Sequence, residues 1–220
     1  MLQIQAFVFN VYQENTYVIS DETKSCVIID PGCYRPEEKQ LLVDYIEQNE
    51  LKPIYLLNTH GHIDHMLGNY FVKDKYQIPF LTHKLVIQEL ESVLGYASAF
   101  GMNPDPSPQP DQLLEEGDII TFGQTSFEVM FTPGHSAGHI SFYHRESQQL
   151  FSGDVLFQGS IGRTDLPGGD SQTLMQTIEN KLLPLGDEVR VYTGHGASTT
   201  IGQERVANPF ILQWLANGHI

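Results

Sequence analysis

Four apolar runs in this chain each end on a side chain that can bind a metal ion. PIYLLNT leads to His60, FEVMFTPG to His135, QLFSG to Asp154 and VRVYTG to His195. Short apolar runs bounded by turn signals read as buried strands, and in α/β sheets ligand sites gather outside the carboxyl ends of strands. Four such ends can therefore converge on one crevice whatever their separation in sequence. The fold must carry all four to one edge.

The remaining pattern supplies the layers around them. Ile4 to Phe9, Thr16 to Ser20 and Cys26 to Ile29 read as short strands, rich in β-branched and aromatic residues and bounded by Asn, Asp and Pro-Gly signals. From Pro36, PEEKQLLVDYIEQNE reads as a helix with Pro in its first turn, acids beside it, and Leu41, Leu42, Tyr45 and Ile46 on one face. Asp170 or Ser171 caps a second helix, in which Leu174, Ile178 and Leu182 repeat every four residues. Strands alternating with helices argue for an α/β architecture, and the closely spaced N-terminal strands argue for mixed sheets. In GMNPDPSPQPD, Gly101 to Asp111, four prolines forbid a helix or central strand, so a long surface loop is expected there. The composition after the loop resembles that before it, and a single domain over residues 1–220 is expected.

Charge and composition exclude several roles. With 12 Lys+Arg against 27 Asp+Glu, a formal charge of -15 opposes the phosphate neutralisation that nucleic-acid binding needs. No apolar run approaches the ~20 residues that cross a bilayer, and no basic segment followed by an apolar one opens the chain, so a soluble, cytoplasmic protein is expected. Cys26 and Cys33 form neither a disulfide framework nor a paired zinc motif and read as free thiols.

The densest signal is Thr59-His60-Gly61-His62-Ile63-Asp64-His65. Gly61 gives the backbone freedom for a sharp turn that aims His60 and His62 at one ion. Asp64 and His65 follow the turn and suit a second ion. Each pair needs more ligands from distant strands: His135 for the first, His195 for the second, and Asp154 as a bridge between them. Asp64 and Asp154 are thus the carboxylates at the catalytic centre. Histidine with carboxylate and no thiolate is an open, catalytic ligand set; zinc fits it, and iron or manganese fit it too. Two divalent ions ~3.5–4 Å apart can share a water, lower its pKa toward roughly 7 and leave one ion to polarise a carbonyl. Asp30, closing the run VIID, reads as a carboxylate that holds the His-rich loop, and His139 in PGHSAGH as a hydrogen-bonding or substrate-side neighbour of His135. His83, His144 and His219 read as surface residues.

HxHxDH at 60–65, PGH at 133–135, GD at 153–154 and GH at 194–195 resemble, in order and spacing, the metallo-β-lactamase superfamily. The resemblance covers nearly the whole chain and implies a four-layer αβ/βα sandwich of two mixed sheets with outer helices and the metals at one edge. Within it, GDVLFQGSIGRTDLPGGD and TGHGASTTIGQE resemble the short glyoxalase II group, the hydroxyacylglutathione hydrolases, which cleave a glutathione thioester. The GRTD stretch is also similar to persulfide dioxygenases, which keep one iron on the positions matching His60, His135 and Asp154. Hydrolysis of another ester or lactone is compatible with the same centre. Full-length glyoxalase II enzymes add a C-terminal helical domain with glutathione contacts, and only 25 residues follow His195. Arg163 matches a position used for glutathione in related enzymes and becomes the expected substrate-binding cation; pairing with Asp165 is its structural alternative.

Overall fold

The computed structural model describes residues 2–218. The first six strands run β1 Gln3–Phe9, β2 Glu14–Ser20, β3 Ser25–Ile29, β4 Lys52–Leu57, β5 Phe80–His83 and β6 Gln112–Leu114. They form one sheet in that order, antiparallel from β1 to β3 and parallel from β3 to β6. The second sheet takes β7 Ile119–Phe122, β8 Thr125–Phe131, β9 Ile140–His144 and β10 Gln149–Gly153. A separate hairpin of β11 Leu156–Phe157 and β12 Ser160–Ile161 follows, and β13 Arg190–Thr193 and β14 Thr199–Thr200 then complete the second sheet. β13 lies parallel to β10, so both sheets are mixed.

Strands buried on both faces must be apolar on both, and these are. Ile19, Val27, Ile29 and Leu57 of the first sheet meet Phe127, Val129, Phe142 and Phe151 of the second in a central core. The alternate residues Val18, Cys26, Ile28 and Leu56 face outward against helices α1 Pro36–Gln48, α2 Ile63–Met66, α3 Asn69–Tyr76 and α4 Val86–Tyr96. Met130, Tyr143, Leu150 and Val191 on the far side pack on α5 Ser171–Thr177, α6 Ile201–Ala207 and α7 Pro209–Ala216. Helix, sheet, sheet, helix is the expected four-layer sandwich. Cys26 and Cys33 are free and buried, and burial pushes each thiol up to about 12. No helix among the described residues is long and apolar enough to cross a membrane.

Both expected helices form. Glu38 accepts from the backbone of Arg35 and closes the start of α1, and Asp170 caps α5 by accepting from Thr173 N at 2.7 Å. Leu42 and Ile46 are buried as expected, but Leu41 is 56% exposed, because Val43 takes the inward place beside them. The helical turns after α5 widen over Ile178–Leu182, which keeps Ile178 and Leu182 in the core with Leu174. Residues 103–111 form a loop without helix or strand. Two histidines differ from expectation. His83 and His144 are buried, since each ends an apolar strand: His83 lies against the Phe131 ring at 4.7 Å, and His144 is held by Ser147. His219 lies outside the described residues.

Candidate metal centre

The four apolar runs are β4, β8, β10 and β13, and each carboxyl end opens toward one edge of the sandwich. His60 follows β4 by three residues, His135 follows β8 by four, Asp154 follows β10 directly and His195 follows β13 by two. Asp64 and His65 sit in α2, whose N-cap is His62. β10 and β13 are locked where they deliver their side chains, with Gly194 N donating to Gly153 O at 2.8 Å. Any side chain at Gly194 would place its Cβ 2.0 Å from Asp154 Oδ1, so that position must be glycine.

The side chains gather in two trios. One nitrogen each from His60, His62 and His135 lies within 4.8 Å of the others, and the same holds for ligand atoms of Asp64, His65 and His195. In the second trio His195 Nε2 is 3.1 Å from Asp64 Oδ2 and 3.3 Å from His65 Nε2. Asp154 stands between: Oδ2 is 3.5 Å from both His135 Nε2 and His195 Nε2, and Oδ1 is 3.4 Å from His65 Nε2. Asp30 meets the same distance test with His60 and His65, but its oxygens are already used. They accept from Thr59 N, Thr59 Oγ1, Asn58 Nδ2 and His65 Nδ1, which makes Asp30 a support for the loop.

Hydrogen bonds behind the imidazoles decide which nitrogen faces inward. Thr59 gives its hydroxyl proton to Asp30 and can only accept from His60 Nδ1, so His60 presents Nε2 as a lone pair. His65 Nδ1 donates to Asp30, His135 Nδ1 to Arg163 O at 2.7 Å, and His195 Nδ1 to Tyr12 O at 3.1 Å. All four thereby turn Nε2 to the centre. His139 is set the opposite way: its Nδ1 donates to Thr132, and its Nε2 accepts from Asp154 N at 3.1 Å. It holds the backbone of Asp154 and belongs to neither trio.

Buried His60 Nε2, His135 Nε2 and Asp154 Oδ1 have no hydrogen-bond partner. Orphaned buried polar atoms are rare in native proteins, and a group of them aimed at one point is what a cation would satisfy. His65 Nε2 and His195 Nε2 face each other as well, and two lone pairs at 3.3 Å need a proton or a metal ion between them. The residues present fit two divalent ions.

The trios differ in charge. Burial pushes His60 well below its ordinary value, aided by its histidine neighbours; it lowers His62 to about 4 and lowers His135 as well. Burial also opposes charge on His65, but the Asp154 and Asp64 carboxylates prevail and raise it well above the usual imidazole range. His195 is raised in the same way against burial, by Asp64 and Asp154. Asp154 is lowered despite burial because the imidazoles of His65, His135 and His195 surround it.

A cavity of about 880 Å³ opens over the centre. One stretch of its lining comes from α4 and the turn after it, and another from residues 157–168. Glu89 of α4 was not foreseen. Its carboxylate accepts from Gly61 N at 2.9 Å and so holds the turn bearing His60 and His62. Gly61 is needed for this approach, since a Cβ there would lie 2.6 Å from Glu89 Cβ; the backbone at Gly61 does not use the left-handed region. The hairpin β11–β12 is anchored from behind by buried Glu204, which accepts from Gly159 N, and by Asn208, which donates to Ser160 O. Arg163 sits at the rim, where its Nε and Nη2 both donate to Asp165 at 2.7 Å in an exposed pair.

Comparison with known proteins agrees with this geometry. The hydroxyacylglutathione hydrolase GloC of Haemophilus influenzae is 39% identical over 212 residues, covering 96% of this chain and 98% of that protein. The B3 metallo-β-lactamase BLEG-1 superposes with a TM-score of 0.85 at 39% identity, over 95% of this chain and 99% of that one. TTHA1623, solved in a di-iron-bound form, gives a TM-score of 0.84 at 38% identity, over 94% and 99%. The pattern of the metallo-β-lactamase superfamily matches residues 9–195, which include every residue of both trios and Asp154. The chain belongs to the metallo-β-lactamase superfamily.

Proposed function

We propose that this protein is a binuclear metal-dependent thioester hydrolase of the hydroxyacylglutathione hydrolase kind. The observation that carries the reading is the second trio, Asp64, His65 and His195, packed against the first with Asp154 between them. A single-iron centre on His60, His135 and Asp154, as in a persulfide dioxygenase, would leave that trio without a task. The similarity to GloC supports a glutathione thioester as substrate.

His60, His62 and His135 would hold one ion, Asp64, His65 and His195 the other, and Asp154 both. Bound there, two divalent ions would supply a water whose pKa is lowered toward roughly 7 and an electrophilic contact for the substrate carbonyl. The protein keeps the Nε2 lone pairs aimed inward through Thr59, Asp30 and the carbonyls of Tyr12 and Arg163. Hydrolysis adds water across the C–S bond: the acyl carbon gains the hydroxyl, the C–S bond breaks, and the products are a carboxylate and a thiolate, with one proton released to solvent and the other free to protonate the thiolate. A simple thiol has a pKa of ~8.5, so the leaving group needs no protonated side chain. Arg163 at the rim is the cation available to a carboxylate of the thiol carrier, once it exchanges Asp165 for the substrate.

Metal analysis of purified protein with an assay on S-lactoylglutathione tests this. Two ions per chain, thioester cleavage and no oxygen consumption are expected. One iron per chain, with oxygen uptake on glutathione persulfide, would replace the reading by the dioxygenase.

A further inference from the structure

Most of the surface that the cavity over the centre presents is apolar, although polar side chains share its lining. Tyr12, Leu85 and Phe100 are 38%, 44% and 58% exposed and line it together with Tyr96 and Phe157. Tyr96 and Phe100 meet edge to face at 5.9 Å, and the Phe157 ring lies 6.1 Å from that of His195. Large apolar groups left in water beside a reactive centre mark a surface that a ligand covers.

Charge narrows what that ligand is. Arg163 is the only Lys or Arg among the described residues lining the cavity, and it already faces Asp165. Lys84, next to Leu85, pairs with Glu115 instead. Glu89, Asp64 and Asp154 line the same space, and the protein carries -15 overall. A second anionic group on the substrate would find no partner on the α4 side. The volume, about 880 Å³, lies high in the ~300–1,000 Å³ range of small-molecule sites and has room for both halves of a thioester.

We propose that the acyl part of the substrate is a medium-length alkyl or an aryl-alkyl group seated on Tyr12, Leu85, Tyr96 and Phe100. The thiol carrier then extends toward Arg163. This assignment rests on the thioester-hydrolase reading. It makes the wall of Tyr12, Leu85, Tyr96 and Phe100 the specificity determinant, with the reaction itself unchanged.

The test uses metal-loaded protein and four glutathione thioesters: acetyl, lactoyl, hexanoyl and phenylacetyl. Because a few methylenes in an apolar site are worth ~10–200-fold, kcat/KM should rise at least ~10-fold from acetyl and lactoyl to hexanoyl and phenylacetyl, chiefly through KM. Phe100→Ala should cut the phenylacetyl-to-acetyl ratio ~10-fold, and Leu85→Ser should act in the same direction. Calorimetry adds a readout free of turnover: phenylacetate should bind ~10-fold tighter than acetate, and Phe100→Ala should erase the difference. Equal kcat/KM across the four acyl groups, or equal losses on all of them in Phe100→Ala, overturns the acyl assignment while thioester hydrolysis stands. If no thioester is cleaved but phenylacetate keeps its Phe100-dependent advantage, the thioester reading falls and the apolar subsite survives. Failure of both measurements removes both.

Discussion

The trio of His60, His62 and His135 and the trio of Asp64, His65 and His195 share Asp154 and one cavity, but they handle protons in opposite ways. In the first, imidazoles gathered without a carboxylate of their own are driven neutral by burial and by one another, and two of their inward nitrogens are left unpartnered. In the second, Asp64 and Asp154 draw protons onto His65 and His195, so the space between those rings favours a positive charge even without metal. One fold edge thus presents one set of ready lone pairs and one set that must first shed protons. The difference lies in where the carboxylates stand, since the imidazoles are chemically the same.

Removing the shared member should abolish the comparison altogether. Asp154→Ala is expected to lose both ions and at least ~10³-fold in kcat/KM, as when one member of a cooperating catalytic set is deleted. Metal stoichiometry by mass spectrometry and turnover check it; a variant that kept two ions and near-normal rate would require another bridge.

Acidification should sharpen the contrast. His65 and His195 are raised, so an ion in their trio must displace protons whose hold strengthens as pH falls. His62 is lowered to about 4, so the first trio stays unprotonated across the same range. From pH 8 to 6 the affinity for the second ion should drop by ~10-fold per unit for each proton displaced, while that for the first ion stays nearly level. Chelator-buffered zinc titrations at several pH values measure this, and parallel slopes would break the distinction.

Glu89 offers a lesion confined to one trio, because it accepts from Gly61 N between His60 and His62. Glu89→Ala should weaken the first ion by ~10–100-fold, the usual cost of losing a partner behind the ligands, and leave the second within error. Equal weakening of both would mean that the trios are not independently supported.

The smallest effect belongs to the rim. Arg163→Ala should leave both metal affinities intact and raise KM for a glutathione thioester by ~5-fold with kcat largely kept, in line with the ~0.2–1 kcal/mol of exposed charge pairs. An uncharged thioester should respond far less. Equal losses on the two substrates would assign Arg163 to its pair with Asp165 alone.

Much of this was legible in residue order. Apolar runs ending at His60, His135, Asp154 and His195 became β4, β8, β10 and β13, because a strand buried on both faces must be apolar along its length. A division of HxHxDH at the Gly61 turn was expected, and His62 stands at the N-cap position of α2 with Asp64 and His65 within it. Leu41, His83 and His144 were misread, because helical periodicity and polarity cannot say which neighbours will cover a side chain. Support from Glu89, and from the carbonyls of Tyr12 and Arg163, left no trace in the sequence. A backbone carbonyl is the same group at every residue, and Tyr12 lies 183 positions from the histidine it orients. Sequence alone determined the α/β class, the ligand types and the strand ends that carry them, as these follow from local periodicity and side-chain chemistry. Only the tertiary structure decided the inward-facing nitrogens, the proton balance of each trio and the apolar wall of Tyr12, Leu85, Tyr96 and Phe100, because each depends on distances between residues far apart along the chain.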